Sequence, residues 1–446
     1  MHNQNQPISR RAFLQLSAGV LGAASLAACV APVSPATQPA GDGQAAAPDV
    51  AKTKVLWWRS QGGTVGELLD RFAADFNASS STVEVQAEFQ GGYVEHLEKL
   101  IASAAAGALP DMILIGDGQY PPLARAGLLL GLNDLLTNST AIDASDYKEP
   151  INRGIMDGEM YQLVYGVSTP IYYMNAEMLD EAGLSGAPET WEQAFTEYFP
   201  KLTKGDVSSF VYLVSNWWQQ SAVWSAGAMV NDDNWEVDLA NPAVVDWFEQ
   251  MQSARKSGQC YVPTAADGTP AAYFGSGKGA MMIESTGVIG SVDEVTGGKF
   301  TTICGYLPSG VGGRWVPSGG NGLSIMAGVS EPVRDASWEF ISYLHETNNY
   351  AEYVKLTGYI PITTGTEAAL AEVIAADPRR QVAIDQLAFS RWHMRIHTIA
   401  RAAQEMWNAW TEIVQTDIDV AQRLQQLQND VVAIVREEGI EPTLPA

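Results

Sequence analysis

Lys54-Val55-Leu56-Trp57-Trp58 is apolar without a break after its first residue, the composition of a strand buried on both faces. Behind it Val65, Leu68, Leu69, Phe72 and Phe76 recur at helical spacing. Val83, Val85, Ala87 and Phe89 alternate with polar residues, which predicts a strand. Val94, Leu97, Leu100, Ile101 and Ala104 then predict a helix leading into the strand Met112-Ile113-Leu114-Ile115. Strand and helix alternating in this way predict an α/β lobe built on a mainly parallel sheet.

Downstream, a second lobe is expected to start near Ser168-Thr169-Pro170, before the strand Ile171-Tyr172-Tyr173-Met174. Thr190-Trp191-Glu192-Gln193 forms a capping box with Thr190 as the N-cap. Asn241-Pro242 opens another helix, whose Val244, Val245, Trp247, Phe248 and Met251 face a core and which Lys256-Ser257-Gly258 closes. Ala336 to Ile341 begins a late helix, and Val420, Leu424, Leu427, Val431 and Val435 mark a long C-terminal one. The chain has 446 residues, more than one hydrophobic core accommodates. No internal repeat is visible.

Upstream lies Ser9-Arg10-Arg11-Ala12-Phe13-Leu14, a twin-arginine pair before bulky apolar residues. The uncharged run Leu16 to Ala28 follows and ends in Leu26-Ala27-Ala28-Cys29. That run is too short for a stable membrane span, so residues 1–29 read as a signal and Cys29 as the lipidated residue. Export and anchoring at the outer face of the cytoplasmic membrane are expected. Residues 30–53 are rich in Ala, Pro, Gly and Gln and predict a flexible linker. Without Arg10 and Arg11 the remainder carries 24 basic and 51 acidic residues, a formal charge of about −27. Such a surface repels nucleic acid. No later run is long enough for a transmembrane helix. Cys260 and Cys304 remain, in a compartment that permits a disulfide, and the pairing stays open. His393 and His397 are four apart, but the glutamate of a zinc-protease motif is missing. No metal and no cofactor is expected.

Thr357-Gly358-Tyr359-Ile360-Pro361-Ile362-Thr363 resembles the TGY-(I/L)-P signature of extracellular solute-binding proteins that feed ABC importers. Phe274, Gly277-Lys278, Ala280 and Met281 resemble the family's "F..GK.AM" segment. Gly183-Leu184, Pro188 and Thr190-Trp191 resemble its "AGL…P.TW" loop. The resemblance runs from Lys54 to the C-terminus. It implies a two-lobed periplasmic-binding-protein-like fold of type II, two α/β lobes joined by a hinge. The implied lobes are 54–168 with 319–366, and 169–318 with 367–446. It also implies a monomer that captures a small solute for the transmembrane subunits of an ABC permease, without catalysis.

Within that family the chain is most similar to the sn-glycerol-3-phosphate-binding branch. The resemblance implies ligand contacts at Tyr93, Asp117, Ser168, Ser285, Thr286, Gly319, Gly320, Tyr359 and Arg395, with Arg395 as the phosphate clamp. Asp117 stands where the branch has a glutamate and Thr286 where it has a serine, departures that bear on the headgroup. Arginine supplies a permanently charged bidentate fork. Ser285-Thr286-Gly287 precedes Val288, Ile289, Val292 and Val295, so it reads as a helix start able to bind an anion, or simply as a cap. Gly319-Gly320-Asn321-Gly322 allows a close backbone approach or φ > 0 and can form an N–H nest, or is a plain hinge turn. One of Trp217 and Trp218 is expected to touch ligand, although tryptophans are more often core. A neutral-sugar-binding protein is the nearest rival, and an exported glycoside hydrolase a more distant one. Gly275-Ser276-Gly277-Lys278 is no phosphate loop, because Gly279 follows the lysine and Ala272 takes the place of the first glycine.

Overall fold

Two five-stranded sheets carry the molecule. The computed structural model describes residues 51–148, 154–228, 234–392 and 394–444. The expected signal, with Cys29, and residues 30–50 of the expected linker lie outside the described residues, as does His393. Thr53, counted with the linker, already opens the first strand. In chain order the strands of the two sheets are β1 (Thr53–Arg59), β2 (Val83–Phe89), β3 (Met112–Gly116), β4 (Leu163–Ser168) and β5 (Pro170–Asn175). They continue with β6 (Ser208–Val211), β7 (Cys260–Tyr261), β8 (Gly279–Ser285), β9 (Thr302–Gly305) and β10 (Gly319–Ile325).

The first sheet has the order β2-β1-β3-β10-β4, the second β9-β5-β8-β6-β7. β1 pairs parallel with β2 and β3, whereas β10 is antiparallel to β3 and β4. In the second sheet β5 is antiparallel to β8 and β9, while β8, β6 and β7 run together. Each sheet is therefore mainly parallel in strand direction, with one reversed strand. Only Thr169 separates β4 from β5, so the chain passes straight from one sheet to the other.

The main helices are α1 (Gly63–Ser79), α2 (Tyr93–Ala106), α3 (Pro242–Lys256), α4 (Glu331–Leu344), α5 (Thr347–Thr357), α6 (Ala400–Gln415) and α7 (Val420–Glu437). Alternation along β3 sends Met112 and Leu114 to one core, with Trp57, Phe72 and Phe340, and Ile113 and Ile115 to another, with Leu100, Tyr120 and Leu123. Trp57 meets Phe340 edge-on at 5.1 Å between centroids. Burying such a side chain contributes about 1.5–3 kcal/mol. In β1 Val55 and Trp57 are buried while Leu56 and Trp58 are half-buried, so one face is covered fully and the other only in part, short of the burial expected on both. The core of Trp57 continues beneath the second sheet through Ile171, Tyr173 and Met282. That sheet's other face packs Tyr172, Met281 and Ile283 on α3, α6 and the predicted stripe Val420, Leu424, Leu427, Val431 and Val435 of α7. Thr190 and Asn241 cap their helices as the sequence predicts, accepting from Gln193 N–H at 3.1 Å and Ala243 N–H at 3.0 Å.

Two other expectations change, and one open question closes. α4 starts at Glu331, ahead of Ala336, because Pro332 in its first turn has φ already set for a helix. In α2 it is His96 and Leu100 that are buried, while Val94, in the first turn, is 68 % exposed. Cys260 and Cys304 are free thiols on opposite edge strands, β7 and β9, of the second sheet. Four strand spacings of about 4.8 Å put them far beyond bonding range. Among the described residues no helix is long and apolar enough to cross a membrane.

His96 is fully buried beside Trp58, with ring centroids 6.2 Å apart. Burial first, and Lys99 second, lower its pKa to about 4 from the ordinary 6.5. The fold thus favours neutral imidazole. The stability this confers is present above pH 6.5 and lost as pH falls from 6.5 toward 4, on the order of 3 kcal/mol in all. Unfolding free energies measured by denaturant at pH 7 and pH 4 should converge more closely in His96→Phe than in the unsubstituted protein. Equal losses in the two proteins would remove His96 from this account.

Candidate functional site

The chain changes sheets at two places that lie side by side. β4 ends at Ser168 as β5 begins at Pro170, and β10 begins at Gly319 just after the short strand Val316–Pro317. The ladder sets Gly319 opposite Ser168, Gly320 opposite Val167, and Asn321 opposite Gly116 at the end of β3. Gly319-Gly320-Asn321-Gly322 is therefore strand rather than nest or turn, while the expected positive φ and close backbone approach are found at Gly320, whose φ is 137° and where a Cβ would run into the Gly166 carbonyl. Two antiparallel neighbours supply its backbone partners, which a glycine-rich segment can reach without side-chain crowding.

Gly319 shows why a side chain is excluded here: a Cβ would stand 2.6 Å from the Trp217 indole. That indole is half-buried and donates from Nε1 to the Ser318 carbonyl at 3.1 Å. Trp218 points the other way. It is fully buried, donates to the Leu213 carbonyl at 2.6 Å and packs edge-on against Tyr212, so its expected ligand role is corrected to core packing.

Beside the crossover, Asn321 is 1 % exposed. Its Nδ2 donates toward the hydroxyls of Tyr353 at 3.0 Å, Tyr93 at 3.2 Å and Tyr359 at 3.3 Å. Gln61 Nε2 donates to the Tyr93 hydroxyl at 3.0 Å. Gln61 is held in turn by Arg59, which donates to its carbonyl and pairs with both Asp70 oxygens at 2.6 Å. Asp117, 9 % exposed, donates its backbone N–H to the Gly320 carbonyl at 3.2 Å. Burial is the first cause raising the pKa of both Tyr93 and Tyr359, and the Asp117 charge adds to it. Both phenols are neutral donors at physiological pH.

The Ser285-Thr286-Gly287 turn comes in from the second sheet. Its apolar follow-on forms a three-residue 3-10 turn, Thr286–Val288, and then only the short helix Val292–Thr296, so the sustained helix start expected there is corrected. Ser285 Oγ accepts from Gly287 N–H at 3.0 Å. Thr286 is fully buried. Its N–H donates to Thr169 O at 2.9 Å and its Oγ1 accepts from Thr169 N–H at 3.4 Å, so its polar groups tie down the crossover. A Cβ on Gly287 would come 2.8 Å from the Tyr359 ring, which brings this turn against the tyrosines.

Ser168 is buried in the ladder. Arg395 opens the 3-10 turn Arg395–Thr398, so His397, in the same turn, is not on an α-helix. Its guanidinium lies 3.4 Å from Asp157 Oδ1 and over the Trp235 ring at 5.3 Å. Asp157 belongs to the hairpin of Ile155–Met156 and Glu159–Met160, and the Ile155 carbonyl accepts from Tyr120 at 3.4 Å. The structure thus gathers Tyr93, Asp117, Ser168, Trp217, Ser285, Gly319, Gly320 and Tyr359 about the two crossovers, and sets Arg395 beside Asp157 of the hairpin and the Trp235 ring. Asn321 and Gln61 were missed. The available signal was a lone amide in a strand otherwise made of Gly, Leu, Ser and Ile, since a buried amide requires partners.

The arrangement offers hydroxyl donors, a carboxylate and aromatic faces, the means of holding a hydroxylated solute. Among the described residues no group of three or more His, Cys, Asp or Glu could hold a metal ion. Gly319→Ala should destabilise by about 1–3 kcal/mol through overpacking on Trp217. In a Trp217→Ala background the added penalty should vanish, as a double-mutant cycle by chemical denaturation will show. Additive losses would mean that the two do not meet.

The profile described as "Bacterial extracellular solute-binding protein" matches residues 70–382. The sn-glycerol-3-phosphate-binding periplasmic protein UgpB of Rhizobium meliloti (strain 1021) is 27 % identical over 332 residues, covering 70 % of this chain and 76 % of its own. That of Brucella abortus (strain 2308) is 26 % identical over 359 residues, 76 % of this chain and 81 % of its own. Among solved structures, UgpB of Mycobacterium tuberculosis in complex with glycerophosphocholine superposes with a TM-score of 0.79 at 23 % identity, over 87 % of this chain and 100 % of that one. The substrate-binding protein Lmo0181 of Listeria monocytogenes in complex with cycloalternan gives 0.76 at 16 %, over 88 % and 100 %. These similarities establish the two-lobed fold, and the chain belongs to the bacterial extracellular solute-binding proteins of ABC transporters.

Proposed function

We propose that this protein captures a small polyol phosphate, glycerol-3-phosphate or a glycerophosphodiester, between its lobes and delivers it to an ABC permease. In this reading the lobes are 54–168 with 319–366 and 169–318 with 367–446, and Cys29 carries the lipid that keeps the protein at the outer face of the membrane. The observation that carries the proposal is the convergence of Tyr93, Tyr359, Asn321 and Asp117 beside Gly319-Gly320 and Trp217, where both crossovers meet. Asp117 takes the polyol hydroxyls, Tyr93, Tyr359 and Trp217 cover its carbon face, and Arg395 takes the phosphate. Ser168, Ser285 and the Gly319-Gly320 backbone complete the lining, with Thr286 holding the hinge. Similarity to the sn-glycerol-3-phosphate-binding relatives supports the ligand class.

One observation favours a second reading, a neutral sugar. Arg395 already has a carboxylate, Asp157, and the Trp235 face as partners, which leaves the tyrosines, Asp117 and Trp217 as the polar and aromatic lining. Both readings are of capture without turnover, as in the family, and steady hydrolysis of an aryl glycoside would overturn both. Calorimetry with glycerol 3-phosphate, glycerophosphocholine and maltose separates them. Binding of a glycerol phosphate is expected, and Arg395→Ala should weaken it by about 2–5 kcal/mol by removing one partner of a desolvated charge pair. Binding of maltose with no response to either phosphate would sink the preferred reading.

A further inference from the structure

Asp157 stands at the tip of the hairpin formed by Ile155–Met156 and Glu159–Met160. With Gly158 it makes the turn, and the two have φ of 53° and 85°. Asp-Gly suits a two-residue turn with both φ positive, and so does Asn-Gly. The hairpin is firmly mounted. Asn133 donates to the two oxygens of Glu159 at 3.1 and 3.2 Å and accepts from Met160 N–H at 3.1 Å. On the other strand the Ile155 carbonyl accepts from Tyr120. The turn needs the conformation of Asp157 and not its charge. That charge nevertheless faces a cation, since Oδ1 lies 3.4 Å from Arg395 Nη2.

Arg395 has other means of support. Met394 and Ile396 on either side of it are buried, its carbonyl accepts from Thr398 Oγ1 at 2.7 Å, and its guanidinium lies over the Trp235 ring. A second guanidinium, Arg125, lies 5.7 Å from the centroid of the same ring and donates to Thr398 Oγ1 at 3.1 Å. Burial is the first cause lowering the Arg125 pKa; Glu438 and Asp157 oppose it, and Arg395 adds to it. Asp157 thus divides its attraction between two guanidinia. Its side chain is 69 % exposed and that of Arg395 36 % exposed, so their pairing contributes little to stability. Its larger effect falls on an anion that comes to Arg395.

Repulsion between like charges grows in proportion to each charge. A phosphate monoester carries about 1.5 to 2 negative charges at pH 7, a phosphodiester one, and a neutral sugar none. A carboxylate on a fixed mount beside the arginine opposes them in that order.

We propose that Asp157 is a specificity-determining residue that matches Arg395 to the charge of the solute. It shares the guanidinium with the solute anion and so weighs against a phosphate monoester relative to a diester. The proposal rests on the reading that Arg395 takes the phosphate.

The test is calorimetry on the full chain with glycerol 3-phosphate, a monoester, and glycerophosphoglycerol, a diester without a cation. Asp157→Asn keeps the turn and removes the charge. At low salt it should raise affinity for the monoester relative to the diester about two- to fivefold. The gain should shrink at about 1 M salt, where screening acts within about 3 Å. Asp157→Gly, which also accepts a positive φ, should act in the same way. A hairpin with a merely structural role would change both affinities by one factor. An unchanged ratio in the folded variants overturns the proposal, and if one variant fails to fold the other decides it. If the unsubstituted protein binds neither phosphate, the polyol-phosphate reading falls. The proposal then stands only if Asp157→Asn gains binding of glycerol 3-phosphate, and no gain overturns it as well.

Discussion

Thr169 is the one residue between two strands that belong to different sheets, and its bonds hold the architecture together. Its carbonyl accepts from Thr286 N–H at 2.9 Å, and its N–H donates to Thr286 Oγ1 at 3.4 Å. Gln386, fully buried, donates from Nε2 to Thr169 Oγ1 at 2.9 Å and to the Pro170 carbonyl at 2.7 Å, while its Oε1 accepts from Leu307 N–H at 2.9 Å. Buried backbone groups must find partners. A strand that leaves one sheet in mid-course would orphan several of them, and these side chains answer that need. The apolar core shared beneath both sheets then has a fixed partner on each side.

Much of the fold was legible because burial leaves a period in the sequence. The apolar run of β3 marks a strand covered on both faces, that of β1 one covered fully on one face only, and the stripes of α1, α3 and α7 match the buried residues almost one for one. Where the reading failed, a local signal was overridden by distant partners. Glycines around Asn321 suggested a turn, yet strands far away in sequence supplied ladder bonds on both sides. Val288, Ile289, Val292 and Val295 kept a helical period, but the chain there turns after three residues to meet Tyr359.

The candidate site was legible in part for a different reason. Its residues come from β3, α2, β10 and the segment after α5, so spacing alone could not unite them, and only the family signatures did. Trp217 and Trp218 show the limit of that route. Adjacent positions carry the same side chain, and which of them faces Gly319 depends on the turn that holds them. A signature likewise names Arg395 without its neighbours, and Asp157, on a hairpin 238 residues upstream, could not be foreseen as its partner.

The placement of β10 bears on how the chain can be made. It lies between β3 and β4 in the first sheet, although residues 170–305, which hold the whole second sheet, are synthesised in between. The first sheet stays split until residues 319–325 have been made, so it cannot close before then. Long-range closure of this kind raises contact order and slows folding. Until it is complete, β3 and β4 carry open edges, and the unfinished chain is most exposed to aggregation during that interval.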